Sequence, residues 1–84
     1  MQKSVHSPEQ KALETLLRQL REDRGMRQAD LAELLGKPTS FVCRVEKGNV
    51  MLDVPQLRQV AHVLGLTLRE IVDLYENALE KEGL

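Results

Sequence analysis

With 84 residues the chain is long enough for a single domain, and its one cysteine excludes an internal disulfide and a multi-cysteine metal site. Hydrophobic residues make up 42% and aromatic residues 2%, so the core must be aliphatic, which suits packed helices better than a sheet. The net charge of −1 conceals an asymmetry, because residues 67–84 contain five acidic and two basic residues, whereas residues 1–66 contain eight acidic and ten basic ones.

The first helix signal follows a short N-terminal arm, residues 1–7, which we expect to be flexible. Ser7 and Pro8 indicate an N-cap and a proline at the first helical position, and Gly25 can end the helix in the left-handed conformation. The first helix is therefore predicted over about residues 8–24. Its apolar stripe is Leu13, Leu16, Leu17 and Leu20.

Two short helices come next. The second is predicted from about Gln28 to Leu35, and the third lies within GKPTSFVCRVEKG, residues 36–48. Only Gly36-Lys37-Pro38 separates them, and a three-residue turn that contains glycine makes two helices cross steeply, as in a helix-turn-helix. The third helix has two inward valines, Val42 and Val45, three residues apart. Its outward stripe is Thr39, Ser40, Cys43, Arg44 and Lys47.

Two further helices complete an all-α chain. Asp53 begins a capping box for a fourth helix that ends before Gly65, and Thr67 begins another for a last helix over residues 67–80. Residues 8–66 would form a four-helix body, so that residues 1–84 are one domain. The predicted common core is Leu17, Leu20, Leu31, Ala32, Leu35, Val42, Val45, Leu57, Val60 and Leu64.

The segment RQADLAELLGKPTSFVCRVEKG resembles the helix-turn-helix of the lambda-repressor/Cro superfamily, of the xenobiotic-response-element type. The positions that carry the resemblance are Gln28, Leu31-Ala32, Gly36 and Glu46-Lys47-Gly48. It extends over residues 52–72 and covers roughly residues 13–75. It implies a compact five-helix, lambda-repressor-like DNA-binding domain, with the helix-turn-helix formed by the second and third helices.

The same resemblance implies roles for individual residues. It assigns base contacts in the major groove to Thr39, Ser40, Cys43 and Arg44, and Arg44 can reach either a guanine or a phosphate. Phosphate contacts are expected at Gln28, Lys37, Lys47 and Asn49. Arg27 departs from the family pattern, because it replaces the Ser or Thr that commonly caps the second helix, but it adds a positive charge close to the expected phosphate and is a further predicted phosphate contact. Arg21 and Glu46 match an internal ion pair between the first helix and the end of the third. Cys43 is interpreted as a small serine-like residue, with a redox-sensitive thiol as the alternative.

The last helix carries more apolar surface than one core contact requires. Its apolar residues span an arc of about 160°, whereas a single contact needs roughly 100°. We interpret the surplus edge, Ile71, Leu74 and Ala78, as a seam between two subunits. The alternative is a broad stripe within a monomer.

These features predict a sequence-specific regulator of transcription that binds double-stranded DNA. One recognition helix contacts only a few base pairs, so we expect a homodimeric repressor that reads a palindromic operator. Activation through contact with RNA polymerase remains open. The alternatives are an antitoxin, which binds a partner toxin and its own operator, and the controller protein of a restriction–modification system.

Other classes of protein are not expected. The sequence has no nucleophile beside a base, no metal cluster and no phosphate-cradling glycine loop, so it does not predict an enzyme, a cofactor or a bound metal. No apolar run approaches the roughly 20 residues of a membrane span, and the N-terminus lacks a signal peptide. Together with the single cysteine, this indicates a soluble cytoplasmic protein without a membrane partner.

Overall fold

The computed structural model describes residues 7–84, which form five α-helices and no strand. The helices are α1 (Pro8–Asp23), α2 (Gln28–Leu35), α3 (Thr39–Lys47), α4 (Val54–Val63) and α5 (Leu68–Lys81). The predicted all-α class and the order of the elements are confirmed. Residues 1–6, which make up most of the expected N-terminal arm, lie outside the described residues.

Side-chain caps start three of the helices where the sequence predicts them. The Ser7 hydroxyl accepts a hydrogen bond from the Gln10 backbone N–H at 3.1 Å, and Pro8 occupies the first turn of α1. Asp53 and Gln56 exchange side-chain and backbone hydrogen bonds at the start of α4, at 2.8 and 3.0 Å. Thr67 forms the equivalent box at the start of α5. These caps satisfy backbone donors that would otherwise have no partner in the first turn.

The turn between α2 and α3 brings the two helices together. Gly36 ends α2 with φ +68°, a conformation that residues with a Cβ adopt at a cost. The Lys37 N–H then donates to the Ala32 carbonyl at 3.0 Å, and Pro38 leads directly into α3. Ala32 is only 1% exposed, so its small side chain lies inside the crossing of the two helices. A larger residue there would separate them.

The core lies between all five helices and is aliphatic. Eight of the ten predicted core residues are buried, while Leu35 and Leu57 are half-buried and pack against the edge of the core. Three apolar residues outside the predicted set are also buried, namely Ala12, Ala61 and Ile71.

The burial of Ile71 corrects the prediction for α5. Its side chain is 0% exposed within the protomer, so the proposal that Ile71 contacts a second subunit is wrong. Leu74 is 36% exposed and Ala78 is half-buried, so these two remain available at the surface of α5. Ile71 lies in the middle of the apolar arc of α5, where a helix that packs on one core buries its side chains most completely.

Candidate nucleic-acid interface

The outward face of α3 is fixed by the two valines on its inner face. Val42 and Val45 are 2% and 7% exposed and anchor the helix on the core. Because residues three and four apart share one face of a helix, the remaining polar residues form one stripe on the opposite side. Thr39, Ser40, Arg44 and Lys47 are exposed on this stripe, and Cys43 is half-buried. The structure therefore brings the four predicted base-contact residues onto one accessible surface.

The basic side chains of this stripe are available for a ligand. The Arg44 guanidinium makes one long hydrogen bond, from Nε to the Ser40 carbonyl at 3.4 Å. Within residues 7–84, neither Arg44 nor Lys47 has a carboxylate within salt-bridge distance. An exposed cation without an internal partner is the group that a phosphate or a guanine edge can bind at the lowest cost.

Arg21 and Glu46 form a bidentate ion pair between α1 and α3. Arg21 Nε lies 2.7 Å from Glu46 Oε2, and Nη2 lies 3.0 Å from Oε1. The two side chains are 9% and 7% exposed, and the hydrogen bond to Glu46 raises the pKa of Arg21. Arg21 Nη1 also donates to the Met26 carbonyl at 2.7 Å. The pair thus holds the end of α3 against α1 and the loop before α2.

The side chain of Gln28 also binds Glu46, the acidic partner of Arg21. Its side-chain Nε2 donates to Glu46 Oε1 at 2.9 Å, so α2 is tied to the same carboxylate as α1. The backbone N–H of Gln28 stands in the first turn of α2, where no intrahelical acceptor exists. Sequence reasoning predicted a phosphate contact for Gln28 and missed the contact with Glu46, because a separation of 18 residues carries no periodic signal.

Arg27 and Asp30 form a second ion pair at the start of α2. Arg27 Nη2 lies 3.0 Å from Asp30 Oδ1, and Nε lies 3.2 Å from Oδ2. Asp30 Oδ2 also accepts a hydrogen bond from the Arg27 backbone N–H at 2.8 Å. The hydrogen bond with Arg27 lowers the pKa of Asp30, and the same contact raises the pKa of Arg27. Arg27, a predicted phosphate contact, is therefore paired within the chain.

Lys37 and Asn49 flank α3 at its two ends. Lys37 is exposed in the turn before the helix, and its Nζ lies 5.3 Å from the centre of the half-buried Phe41 ring. Asn49 is exposed just after the helix, and its backbone N–H donates to the Arg44 carbonyl at 2.8 Å. Both residues thus stand at the two ends of the helix that carries the stripe, where the phosphate contacts are predicted.

Two charged residues with structural roles were not predicted. Glu14 on α1 is 7% exposed, accepts a hydrogen bond from Gln10 at 3.2 Å and packs against Gly48 at the end of α3. Arg24 donates to the Leu64 carbonyl at 2.5 Å and to the Leu20 carbonyl at 3.0 Å, so it joins the C-terminal ends of α4 and α1. The position of Arg24 near a helix end weakly indicates a contact with backbone carbonyls there. Its contact with Leu64 could not be predicted from the sequence, because the two residues are 40 positions apart.

Neither a metal-binding cluster nor a membrane-spanning helix occurs in the described part of the chain. No group of three or more His, Cys, Asp or Glu side chains within residues 7–84 could hold a metal ion. None of the five helices combines the length and the apolar character needed to cross a membrane.

Comparison with protein families assigns the fold to a known group. A family model described as a helix-turn-helix domain matches residues 12–74, which include most of α1, all of α2 to α4 and the first half of α5. The chain belongs to the helix-turn-helix domain family. The resemblance that the sequence indicated is thereby confirmed at the level of the family, and α2 and α3 are its helix-turn-helix. A search of curated proteins finds no match to this chain.

Solved structures agree with the family assignment. ClgR, the clp gene regulator from Corynebacterium glutamicum, superimposes with a TM-score of 0.77 at 23% identity, over 87% of this chain and 78% of ClgR. At that identity the likeness concerns the fold alone. HppE in its apo form has a TM-score of 0.65 at 36% identity, over 71% of this chain and 34% of HppE. FeII HppE in complex with substrate gives the same TM-score and identity, with 35% of HppE covered. The chain therefore spans about a third of the length of HppE.

Proposed function

We propose that this protein is a sequence-specific regulator of transcription that binds double-stranded DNA and acts as a homodimeric repressor on a palindromic operator. The observation that carries the proposal is the outward face of α3. On that face short polar side chains are followed by two exposed cations, Arg44 and Lys47, that have no acidic partner within the described residues.

This order of residues suits a helix that enters the major groove, which is about 12 Å wide in B-DNA. Thr39, Ser40 and Cys43 are small, so the helix backbone can approach the base edges closely. Arg44 follows with a longer side chain that can make two hydrogen bonds to the O6 and N7 atoms of a guanine. Lys47, one turn from Cys43, has the reach and the charge to bind a phosphate.

Residues at the edge of this face support binding to the DNA backbone. Arg27 and Gln28 stand at the start of α2, where backbone N–H groups without intrahelical acceptors favour an anion. Lys37 and Asn49 stand at the two ends of α3. Phosphate contacts of this kind fix the position of a protein on DNA and carry no sequence information themselves.

The proposed homodimer follows from the size of the recognition surface. One helix reads only a few base pairs, whereas two copies about one helical turn of DNA apart read a longer palindrome. The proposed subunit contact is the apolar edge of α5 formed by the exposed Leu74 and the half-buried Ala78. A dimer bound across a promoter would block polymerase, which is the proposed mode of repression.

Affinity measured against salt on a selected duplex and a scrambled duplex tests the proposal. The selected duplex comes from a random pool enriched for binding to the parent protein. Arg44→Ala should cost about 1–3 kcal/mol on the selected duplex and relax the preference at one position. Lys47→Ala should weaken binding to both duplexes alike and reduce the salt slope by about one unit.

Lys81→Ala is the matched control, because it removes the same charge as Lys47→Ala from the far end of α5. It should bind both duplexes nearly as the parent does. If the parent enriches no sequence, or if Arg44→Ala and Lys47→Ala both bind like Lys81→Ala, the DNA-binding proposal fails.

A further inference from the structure

The start of α2 contains an acidic residue beside the proposed phosphate contacts. Asp30 binds the guanidinium of Arg27 through two hydrogen bonds, at 3.0 and 3.2 Å, and also accepts the Arg27 backbone N–H at 2.8 Å. Its carboxylate thus occupies the Nε and Nη2 edge of the Arg27 guanidinium, one of the two edges through which a phosphate can bind in a bidentate way. Carboxylate and phosphate present the same pair of acceptor oxygens to a guanidinium, so the two compete for it.

The Arg27–Asp30 pair is much more exposed than the Arg21–Glu46 pair, which has a structural role. The side chains of Arg27 and Asp30 are 82% and 38% exposed, whereas those of Arg21 and Glu46 are 9% and 7% exposed. An exposed ion pair contributes little to stability and opens readily. Asp30 also brings its negative charge next to Gln28, the other proposed phosphate contact at this helix end.

We infer that Asp30 limits the affinity of the protein for DNA, because it holds Arg27 in an internal pair and repels the phosphate that Arg27 and Gln28 would bind. The inference rests on the proposed function and deepens it. When DNA binds, a phosphate replaces the carboxylate of Asp30 at the guanidinium of Arg27. The displaced carboxylate stays close to the phosphate and repels it. Asp30 sets how tightly the regulator binds any duplex and leaves its choice of sequence to α3.

Asp30→Asn isolates this effect. The asparagine side-chain oxygen can still accept the Arg27 backbone N–H, so the cap of α2 is kept in a weaker form while the charge is lost. Removal of the opposing charge should tighten binding about two- to fivefold on selected and scrambled duplexes alike. The salt slope should steepen by up to about one unit, since Arg27 then neutralises a phosphate fully.

Glu33→Gln is the matched control, because it removes one acidic charge from the same helix at an exposed residue that makes no salt bridge within residues 7–84. It changes the net charge by the same amount as Asp30→Asn. Any affinity gain common to both variants is therefore an effect of net charge, and the excess gain of Asp30→Asn is local to Arg27. Thermal unfolding of each variant gives an independent reading, in which Asp30→Asn should be no more stable than the parent.

Arg27→Gln in both backgrounds completes the test. It should weaken binding of Asp30→Asn by the full gain, and it should weaken the parent as well, because the carboxylate of Asp30 then faces the phosphate without its partner. If the parent binds DNA but Asp30→Asn binds no more tightly than Glu33→Gln, the inference is wrong and the proposed function stands. If the parent selects no DNA at all, the proposed function fails and the inference fails with it.

Discussion

At the scale of single residues, two sets of charged side chains near the helix-turn-helix have opposite environments. Arg21 and Glu46 are buried and bind each other, together with Gln28 and the Met26 carbonyl. Arg44 and Lys47 are exposed and make no salt bridge with the described residues. The first group positions α3 relative to α1 and α2, and the second remains available for DNA. Mutations in the two groups should therefore have different consequences.

Glu46→Ala should destabilise the protein by about 3–5 kcal/mol, because it leaves the guanidinium of Arg21 buried without its partner. Chemical denaturation measures this cost. Glu33→Ala is the control, since Glu33 is exposed and makes no salt bridge with the described residues. It should cost less than about 1 kcal/mol. Equal losses for the two variants would mean that the Arg21–Glu46 pair does not hold α3 in place.

Some contacts of single residues could be predicted from the sequence and others could not. The Arg21–Glu46 pair was expected from the family resemblance, and the outward stripe of α3 from helical spacing. The pairing of Arg27 with Asp30 was not predicted, although a separation of three residues on one helix allows it. The contacts of Arg24 with Leu64 and of Gln28 with Glu46 join distant parts of the chain. Such contacts depend on tertiary packing, which no local pattern specifies.

At the scale of elements, α3 ends at a glycine that meets another helix. Gly48 has φ +85°, and the carboxylate of Glu14 on α1 lies where the Cβ of a larger residue at this position would be. A Cβ added at Gly48 would lie 2.6 and 2.9 Å from the two carboxylate oxygens of Glu14. Gly36, at the end of α2, has a similar φ of +68° but no atom within 4 Å of an added Cβ. A substitution at Gly36 therefore introduces backbone strain alone, whereas one at Gly48 introduces backbone strain and a clash with Glu14.

Gly36→Ala should cost about 1–2 kcal/mol from the left-handed backbone alone. Gly48→Ala should cost about 1 kcal/mol more, because Glu14 is buried and must move away and lose its hydrogen bond from Gln10. Urea unfolding of both variants measures the difference. In a Glu14→Ala background, the two substitutions should lower the free energy of unfolding by the same amount. Equal costs for Gly36→Ala and Gly48→Ala in the parent would mean that Glu14 rearranges freely.

Helix positions were the most predictable part of the fold. Capping residues and glycines marked the ends, and the predicted first helix differs from α1 only in that Arg24 is the C-cap. The core was predicted less completely, because periodicity identifies the inward face of a helix but not which part of that face meets a neighbour. Leu35 and Leu57 thus lie at the edge of the core, and Ile71 lies at its centre.

At the scale of the whole molecule, the apolar surface of α5 bears on assembly. Val72 and Leu74 are 39% and 36% exposed, and two residues turn an α-helix by about 200°, so they lie on opposite edges of its buried stripe. A two-fold dimer brings the same patch of each copy together. Only the Leu74 edge continues into Ala78, whose small side chain lets a second helix approach.

Leu74→Glu should therefore convert the proposed dimer to a monomer, because the two-fold axis would bring two buried carboxylates together. Sedimentation velocity over a range of concentrations measures the change. Val72→Glu is the matched control, since it introduces the same charge at a residue of similar exposure on the opposite edge of α5, and it should remain a dimer. Leu74→Glu should also lose affinity for the full palindrome and bind it about as weakly as an isolated half-site. A parent that sediments as a monomer at every concentration would contradict the dimer itself. A dimeric parent that Val72→Glu dissociates and Leu74→Glu does not would move the subunit contact to the other edge of α5.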